Sequence, residues 1–328
     1  MTPDRTREVS KSVPSPSTSA SRQGLLYGVA AYACWGLAVP LYFKAVSWVS
    51  PLELLAQRVL WSVAVLVGLL VITRRWKELR QAVRSPRTLL LLGAGSVLIG
   101  VNWLIYIYSV VTDQMVESGL GYFMLPLVSV LFGMLFLGER LRRGQWLAVG
   151  LAGLGVVNLA VRTDTIPWIA LALAGAFGLY GLLRKLAPVE SLISLLVETA
   201  ILAPFAAAWM GWRQYHGGTA WAGAGWGPDL VLALSGVVTA FPLLWFGKAA
   251  RLLPLTTLSF IQYLSPILQC ALAVWVFGEP FTTVQLGTFL CVWLALVLFS
   301  VDLARARRAN AAEVREPDNE AVYSTPSG

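Results

Sequence analysis

Charged side chains are scarce in this chain. Asp, Glu, Lys and Arg together make up 13% of its 328 residues, whereas hydrophobic residues make up 57%. Soluble globular domains average about 25% charged and about 45–50% apolar residues. So little charge cannot cover a water-facing surface on a chain of this length, but hydrocarbon accepts apolar side chains that face outward. The composition therefore excludes a soluble globular protein and predicts a protein of the lipid bilayer.

Histidine, cysteine and nucleotide-binding motifs are rare or absent. The single histidine, His216, lies in a glycine-rich loop and is expected to be solvated rather than reactive. No phosphate-cradling GxxxxGK(S/T) sequence occurs, so ATP-driven work by this chain alone is not expected. The cysteines fall inside apolar runs without a CxxC spacing, which indicates packed free thiols: Cys34, Cys270 and Cys291. These observations predict no disulfide, no metal site and no cofactor.

The basic residues, which give a net charge of +8, cluster in short stretches between apolar runs. This distribution is typical of membrane-protein loops and argues against a nucleic-acid partner. With the N-terminus placed in the cytoplasm, 21 of the 25 lysines and arginines fall on cytoplasmic segments, three fall outside, and Arg58 lies within a helix. The positive-inside rule therefore predicts that both termini are cytoplasmic.

Ten apolar runs have the length of transmembrane helices, which need about 20 residues with a range of about 17–25. The first begins at Gly24 and lacks a cleavage site of small residues, so we expect it to remain in the mature protein. The sequence thus predicts an all-α polytopic membrane protein with disordered cytoplasmic tails at 1–22 and 304–328. The predicted spans are 24–46, 52–73, 89–111, 114–137, 145–161, 166–184, 190–212, 229–248, 254–277 and 282–303.

One turn recurs along the chain after 140 residues. The stretch LFLGERLRRGQW at 135–146 resembles WVFGEPFTTVQL at 275–286, but the second copy lacks the arginines of the first. Positions that match at this offset are Pro126 with Pro266, Gly138 with Gly278, Glu139 with Glu279, and Gln145 with Gln285.

Five predicted helices separate the two copies of this turn, so the copies face opposite sides of the membrane. Only the cytoplasmic copy is then expected to carry positive charge. An internal repeat of opposite orientation is typical of secondary transporters. We therefore predict two inverted five-helix units, residues 23–162 with helices 1–5 and residues 163–303 with helices 6–10.

The basic linker RRWKELRQAVRSPR at 74–87 allows two interpretations. Trp76, Leu79 and Val83 fall on one helical face with basic residues around them. Such a helix suits the surface of the anionic inner leaflet, with membrane lipid as its partner. The alternative is an ordinary basic loop that only sets the topology.

Eight local strings are distributed over residues 24–303. They are AYACWG at 31–36, RVLWS at 58–62, NWLIYIYSV at 102–110, GLGYFMLPLV at 119–128, FLGERLRRGQWLAV at 136–149, FGLYGLLRK at 177–185, VETAILAP at 197–204 and FIQYLSPIL at 260–268. Together they resemble the RarD family, within the EamA-like drug/metabolite transporter superfamily. The resemblance implies two EamA-like halves of five helices, a plasma (inner) membrane location and the carriage of small molecules. Two positions depart from the family pattern, since Gln57 stands where similar proteins often have His, and Leu125 where they often have Asn.

Three ionisable side chains fall inside predicted helices: Arg58, Glu117 and Glu198. A charge at the bilayer centre costs at least about 2.5–3.5 kcal/mol on insertion scales, so such residues need partners or water. Arg58 and Glu198 occupy equivalent places in the two halves, and we expect them to approach each other as an ion pair. This pair either rearranges during transport or holds the bundle together permanently. Glu117 either carries a proton or contacts a cationic solute, or it stabilises a helix N-terminus.

Aromatic and polar side chains are the other candidates for solute binding. In helix 3, Trp103 and Tyr106 share a face with Asn102. Three further aromatic residues are expected to complete a cavity suited to amphipathic, aromatic or cationic solutes: Tyr32, Trp35 and Tyr122. The alternative for each is packing or anchoring at the membrane interface. Three prolines inside predicted helices are expected to kink or break them: Pro40, Pro126 and Pro266.

These features favour a secondary transporter of a small metabolite or drug-like solute, driven by an ion gradient, such as that of the proton, or by the solute's own gradient. Export is the direction that the family analogy implies. A polytopic membrane enzyme would need clustered His, Asp or Cys near a membrane face, and this sequence has none, so we expect no enzymatic activity. A non-transporting sensor or scaffold is the other alternative, although it would not require two inverted halves.

Overall fold

The computed structural model describes residues 18–138, 141–187, 189–220, 225–253 and 261–322. Within these ranges the regular structure is entirely helical, without a strand. The helices are α1 Thr18–Ala33, α2 Val39–Ala45, α3 Pro51–Thr73, α4 Trp76–Arg84, α5 Pro86–Val111, α6 Met115–Leu137, α7 Arg143–Thr163, α8 Trp168–Leu186, α9 Ser191–His216, α10 Trp226–Leu252, α11 Leu264–Trp275 and α12 Thr283–Val322. A five-residue π-helical segment, Cys34–Ala38, joins α1 to α2.

Most of these helices have the length and composition of membrane spans. Large apolar side chains point outward from them, as hydrocarbon surroundings allow; Ile72 is 78% exposed and Leu90 is 75% exposed. Two further apolar helices are shorter, Trp168–Arg184 and Leu264–Trp275. The eight stretches that are long and apolar enough are Arg22–Ala45, Pro51–Thr73, Pro86–Val111, Met115–Phe136, Arg143–Thr163, Ser191–His216, Trp226–Phe246 and Thr283–Asp302. The prediction of an all-helical, multi-pass membrane protein is confirmed.

The same dipeptide begins α3 and α5. Ser50 accepts a hydrogen bond from the N–H of Glu53 at 3.4 Å, and Ser85 accepts one from Thr88 at 3.3 Å. Proline follows each serine as the first helical residue, where its missing N–H has no intrahelical partner to lose. The sequence therefore sets both helix starts locally.

The three prolines predicted to interrupt helices have different surroundings. Pro40 is the second residue of α2 and directly follows the π-helical segment, where the regular hydrogen-bond ladder is already altered. Pro126 lies inside α6, which continues through it. Pro266 is the third residue of α11, within the first turn, where proline is tolerated. Among these three, only Pro40 accompanies a change of helix type.

The helices pack closely in defined pairs. α7 packs along α12, α6 along α8, and α1 along α10, while α3 packs against both α9 and α10. Glycine allows the closest approaches: a Cβ atom on Gly121 would lie 2.7 Å from the carbonyl oxygen of Ala170, and one on Gly36 would lie 2.7 Å from the Cβ of Leu268. These contacts join α6 to α8 and the π-helical segment to α11.

The connections between helices gather at two ends of the bundle. At the end that we call the basic end, Arg75 pairs with Glu190, which directly precedes α9, and Arg142 pairs with Asp302 of α12 at 3.2 Å. At the other end, which we call the opposite end, Lys44 of α2 pairs with Asp113 between α5 and α6. Since α3 ends and α9 begins at the basic end, these two neighbouring helices run antiparallel.

The linker at 74–87 forms the short helix α4. Trp76 and Val83 are 45% and 43% exposed, whereas Leu79 packs on a cluster of buried residues from α3, α5 and α9. Nη2 of Arg75, which directly precedes α4, donates a hydrogen bond to Oε2 of Glu78 at 2.7 Å. The linker is thus helical and partly exposed, as the first of the two sequence interpretations requires, and its contact with lipid stays a prediction.

The predicted tails are partly helical. α1 begins at Thr18 and α12 extends to Val322, so both helices run into the stretches 1–22 and 304–328, and the disorder of these tails stays a prediction. Alanine and arginine, both strong helix formers, fill much of 304–312 and extend α12 beyond the apolar span. Residues 1–17 and 323–328 lie outside the described residues.

The close approach at Gly121 generates a stability prediction. Gly121→Ala would force the α6 backbone away from Ala170, and we expect the free energy of unfolding to fall by about 1–3 kcal/mol, as in other overpacked cores. Thermal unfolding of the purified protein in detergent measures this loss. The matched control is Gly93→Ala in α5, where an added Cβ would have no neighbour within 4 Å. Equal unfolding temperatures for the two variants would contradict the proposed tight packing.

Candidate functional site

Arg58 of α3 is buried inside the bundle with a side chain that is 7% exposed. Its guanidinium carbon lies 4.2 Å from the ring centroid of Trp103 and 5.5 Å from that of Phe43, which are cation–π contacts. The Nε atom has no hydrogen-bond partner. Among the described residues, no carboxylate forms an ion pair with this guanidinium. The protein therefore buries a positive charge among aromatic rings.

Hydroxyl and amide groups from three helices surround this charge. The side chains of Tyr42, Tyr106 and Tyr122 lie near the guanidinium. The Tyr122 hydroxyl donates to Oδ1 of Asn102 at 3.4 Å, and Nδ2 of Asn102 donates to the carbonyl of Leu173 at 3.3 Å. These bonds fix α5, α6 and α8 relative to one another.

One hydroxyl in this cluster is unsatisfied. Tyr106 is 5% exposed, and its hydroxyl oxygen has no hydrogen-bond partner. Its ring lies 6.3 Å from that of Phe43 and 6.0 Å from that of Tyr122. We define the Arg58 site as the group formed by Arg58, Phe43, Asn102, Trp103, Tyr106 and Tyr122. The structure thus brings together four of the six aromatic and amide residues that the sequence selected.

The other two selected aromatic residues lie elsewhere. Tyr32 makes an edge contact with Trp35 at 5.3 Å between ring centroids, and Phe246 lies 6.1 Å from Tyr32 and 5.8 Å from Trp35. Tyr32 lies on α1, Trp35 on the π-helical segment and Phe246 on α10, and among the described residues no ring contact joins Tyr32 or Trp35 to Tyr122. Trp35 also packs on the cluster of buried residues that contains Tyr106, and a single aromatic cavity stays a prediction.

Glu198 of α9 is fully buried and well partnered. The Tyr180 hydroxyl donates to its Oε2 at 2.9 Å, and the Ser194 hydroxyl donates to its Oε1 at 3.3 Å. Nη1 of Arg184 lies 3.7 Å from Oε1, which completes a charge pair toward the basic end. The cation beside Glu198 is thus Arg184, and not Arg58 as the sequence led us to expect.

The reason is the depth at which each residue lies. Arg58 precedes the last residue of α3 by 15 positions, or about 22 Å, whereas Glu198 follows the first residue of α9 by 7, or about 10 Å. Both of those helix ends lie at the basic end, so the two side chains are separated by about 12 Å along the bundle. The expected pairing required both residues at the same depth, and this separation is too large for a direct contact.

Glu117, near the start of α6, bonds to the start of another helix. Its Oε1 accepts the backbone N–H of Ile169 at 2.8 Å and that of Ala170 at 3.3 Å. These donors belong to the first turn of α8, whose N–H groups have no partner within their own helix. The geometry favours the interpretation in which Glu117 stabilises a helix N-terminus, and its role as a proton carrier stays a prediction.

A second carboxylate has the same role at the start of α6. Glu279 is 5% exposed, and its two oxygens accept the N–H groups of Met115 and Val116, each at 2.8 Å. Burial raises the pKa of Glu279, while the N–H groups of Val116 and Met115 act against this shift. Lys44 and Asp113 lie close enough to influence the same carboxyl group with opposite signs. Glu139, its sequence match, lies outside the described residues.

Sequence reasoning missed the partners of these charges. Tyr180 and Arg184 are four residues apart on α8, and Ser194 and Glu198 are four apart on α9. This spacing puts each pair on one helical face and could have indicated the cluster. By contrast, the carboxylate of Glu279 reaches Met115 across 164 positions. Only the recurring turn drew attention to it.

The capping contact of Glu279 can be tested by stability. Glu279→Ala leaves two buried N–H donors without an acceptor, so we expect the free energy of unfolding to fall by about 1–3 kcal/mol. Glu279→Gln retains an acceptor oxygen and should lose less. The control is Glu78→Ala, which removes a half-exposed ion pair worth at most about 1 kcal/mol. A loss no greater than that of the control, measured by thermal unfolding, would argue against the capping role.

Comparison with known proteins agrees with this architecture. The profile of the EamA-like transporter family matches residues 22–161. An "Uncharacterized transporter" of Vibrio cholerae is 45% identical, with 90% of this chain and 97% of that protein covered. "Protein RarD" of Streptomyces exfoliatus is 43% identical over 93% of this chain and 96% of that protein, and "Protein RarD" of Escherichia coli is 42% identical over 88% and 97%.

Similarity to a solved structure supports the fold alone. A "Crystal structure of protein" aligns with a TM-score of 0.55 and 19% identity, covering 87% of this chain and 99% of that one. The curated relatives, in contrast, match at high identity along nearly their whole length. This multi-pass membrane protein therefore belongs to the RarD family of EamA-like transporters.

Proposed function

We propose that this protein is a secondary transporter that moves a small metabolite or drug-like solute across the plasma membrane by alternating access, with both termini in the cytoplasm and export as its direction. The observation that carries the proposal is the Arg58 site, a buried charge with unsatisfied donors inside a bundle that faces lipid. Intramembrane charges are costly and are retained where they act on a solute or an ion. The family membership supports the same conclusion.

The recurring turn supports an inverted repeat of two five-helix units, residues 23–162 and 163–303. Gly138 and Gly278 both adopt left-handed backbone angles, with φ of 67° and 70°. The Gln145 side chain accepts the N–H of Arg142 at 2.9 Å, and that of Gln285 accepts the N–H of Thr282 at 2.7 Å. The two turns thus share their local geometry as well as their sequence.

These turns also lie at opposite ends of the apolar span Thr283–Asp302 of α12. Thr282 directly precedes α12, whereas Arg142 pairs with Asp302, which follows the first residue of α12 by 19 positions. At 1.5 Å per residue, this separation is about 28 Å, close to the thickness of the hydrocarbon core. Copies of a turn on opposite membrane surfaces are what an inverted repeat requires.

Helix packing also supports the inverted repeat. Exchanging the two halves replaces the α1–α2 span by α8, α3 by α9, α5 by α10, α6 by α11 and α7 by α12. The observed packing of α6 on α8 then corresponds to that of α11 on the π-helical segment, and the packing of α1 on α10 corresponds to that of α5 on α8. The α3–α9 and α7–α12 pairs correspond to themselves. Such pairing supports ten spans, with α8 and α11 as the shorter ones.

Different polar contacts hold the helices together at the two ends of the bundle, which supports alternating access. The Arg184–Glu198 pair joins α8 to α9 toward the basic end. Toward the opposite end, Glu279 holds the start of α6 and Glu117 holds the start of α8. One end of the bundle can open while the other stays closed if only the contacts at the opening end break.

The first test of this proposal is topology. We expect cysteines introduced by Arg142→Cys and Thr282→Cys, in a chain whose three native cysteines are replaced by serine, to react with a membrane-impermeant maleimide from opposite sides of the membrane. Labelling of intact cells and of inverted vesicles, with the cysteine-free chain as control, measures this. Reaction of both positions from the same side would overturn the inverted arrangement.

The second test is flux. In proteoliposomes containing the purified protein, we expect saturable uptake of at least one member of a panel of labelled metabolites and antibiotics, accelerated by the same solute inside. Arg58→Gln should lower this uptake at least tenfold, since the buried charge is lost at the site. Arg213→Gln is the matched control, because Arg213 also contacts a tryptophan ring but lies at the partly exposed end of α9. Equal uptake by the Arg58 variant and the control would exclude Arg58 from transport.

A further inference from the structure

We propose that the Arg58 site selects an organic anion, and that the transported solute carries a carboxylate bound by Arg58 beside an aromatic or otherwise apolar body. This inference rests on the proposed transport function and adds to it the chemical class of the solute. Three features of the structure carry it: the uncompensated charge, the unsatisfied donors and the ring-lined surroundings.

The first feature is charge. The ion pairs of the described residues each join a cation to a carboxylate, but none of them includes Arg58, whose guanidinium lies among aromatic rings and uncharged polar groups. The rings stabilise the cation through their faces without neutralising it. A buried charge without a counter-ion in the protein is stabilised when a bound ligand supplies the opposite charge. In a transporter, the solute is the ligand that can do so.

The second feature is the pair of unsatisfied donors. Nε of Arg58 and the hydroxyl of Tyr106 are both buried and both lack a hydrogen-bond partner. A guanidinium has a planar edge of N–H groups that matches the two oxygens of a carboxylate, and its Nε–H belongs to that edge. Trp103 contacts the guanidinium through its ring and leaves Nε without a hydrogen-bond partner, so this N–H stays available for such a bond.

The third feature is the set of rings beside the charge. From Phe43, the ring centroids of Tyr106, Tyr122 and Phe177 follow at successive distances of 6.3, 6.0 and 6.3 Å. This series begins at the charge and extends toward α8, so a solute that is anionic at one end would lay its apolar body along it. A small inorganic anion would leave these rings without a partner.

Other solute classes fit less well. A cationic solute would be repelled by Arg58, and the described residues around this site provide no carboxylate to oppose that repulsion. A neutral acceptor would satisfy the N–H edge but leave the charge uncompensated. Both oxygens of Glu198, the other buried candidate, are already engaged by Tyr180, Ser194 and Arg184.

The test uses equilibrium binding to the full chain in lipid nanodiscs. The probes are benzoate, phenylacetate and 3-phenylpropionate, each compared with its amide and with the corresponding amine. We expect at least one carboxylate to raise the thermal unfolding temperature in a saturable manner, with its amide at least tenfold weaker and its amine inactive. Binding should weaken at least tenfold in Arg58→Gln and less in Arg58→Lys, which keeps the charge.

The controls separate charge from folding. Arg213→Gln should bind the carboxylate like the unmodified chain, and Tyr106→Phe, which keeps the ring, should bind it more weakly if the hydroxyl donates to the anion. If Arg58→Gln does not fold, Arg58→Lys and Tyr106→Phe still decide the question. The proposal is overturned if the amide or amine equals its carboxylate, if no carboxylate of the series binds, or if these variants bind like the unmodified chain.

This binding measurement is independent of flux. Carboxylate binding that depends on Arg58, without saturable uptake in proteoliposomes, would support the anion site and count against transport. Saturable uptake of only neutral or cationic solutes would support transport and count against the anion site. The two proposals can therefore fail separately.

Discussion

Hydrocarbon cannot bond to backbone polar groups, and this constraint shapes the whole molecule. Within each helix the ladder satisfies most of these groups, but the first turn of every helix presents N–H donors that the ladder cannot reach. α3 and α5 each begin with Ser-Pro, and the serine hydroxyl accepts a hydrogen bond from an N–H group of the first turn. α6 and α8 begin inside the protein, and glutamates from other segments supply the acceptors. Contacts between distant segments therefore satisfy the N–H groups that these two helices cannot satisfy themselves.

The charged side chains inside the bundle divide by how completely the fold compensates them. Glu117 and Glu279 each bind two N–H groups at a helix start, and Glu198 has a cation and two hydroxyls beside it. In each case the protein provides the partner, and the result is a joint between helices. Arg58 is different, since its rings lower the cost of burial but leave its charge and its Nε uncompensated. This contrast separates structural charges from the one that suits a solute.

The sequence was sufficient for those features that depend on composition and periodicity. Apolar runs identified the helices, and helical spacing gathered Asn102, Trp103 and Tyr106 on the face that surrounds Arg58. The spacing of 140 residues indicated the wrong partner for Glu198, because it relates two positions along the chain and gives no depth in the bilayer. The neighbours of Tyr32 could not be predicted, because which neighbour a helix face meets depends on rotation about the helix axis. The capping role of Glu279 required the contact between distant segments itself.

The acceptor of the first N–H groups of α6 has a consequence for biosynthesis. Met115 and Val116 emerge from the ribosome before Glu279 is translated, so the first N–H groups of α6 lack this acceptor during that time. The start of α8 does not wait, since Glu117 precedes Ile169 in the chain. The contact between the start of α6 and Glu279 therefore forms only after the segment between α11 and α12 has been translated. Translation order thus makes the start of α6 depend on a later segment, whereas the start of α8 depends on an earlier one.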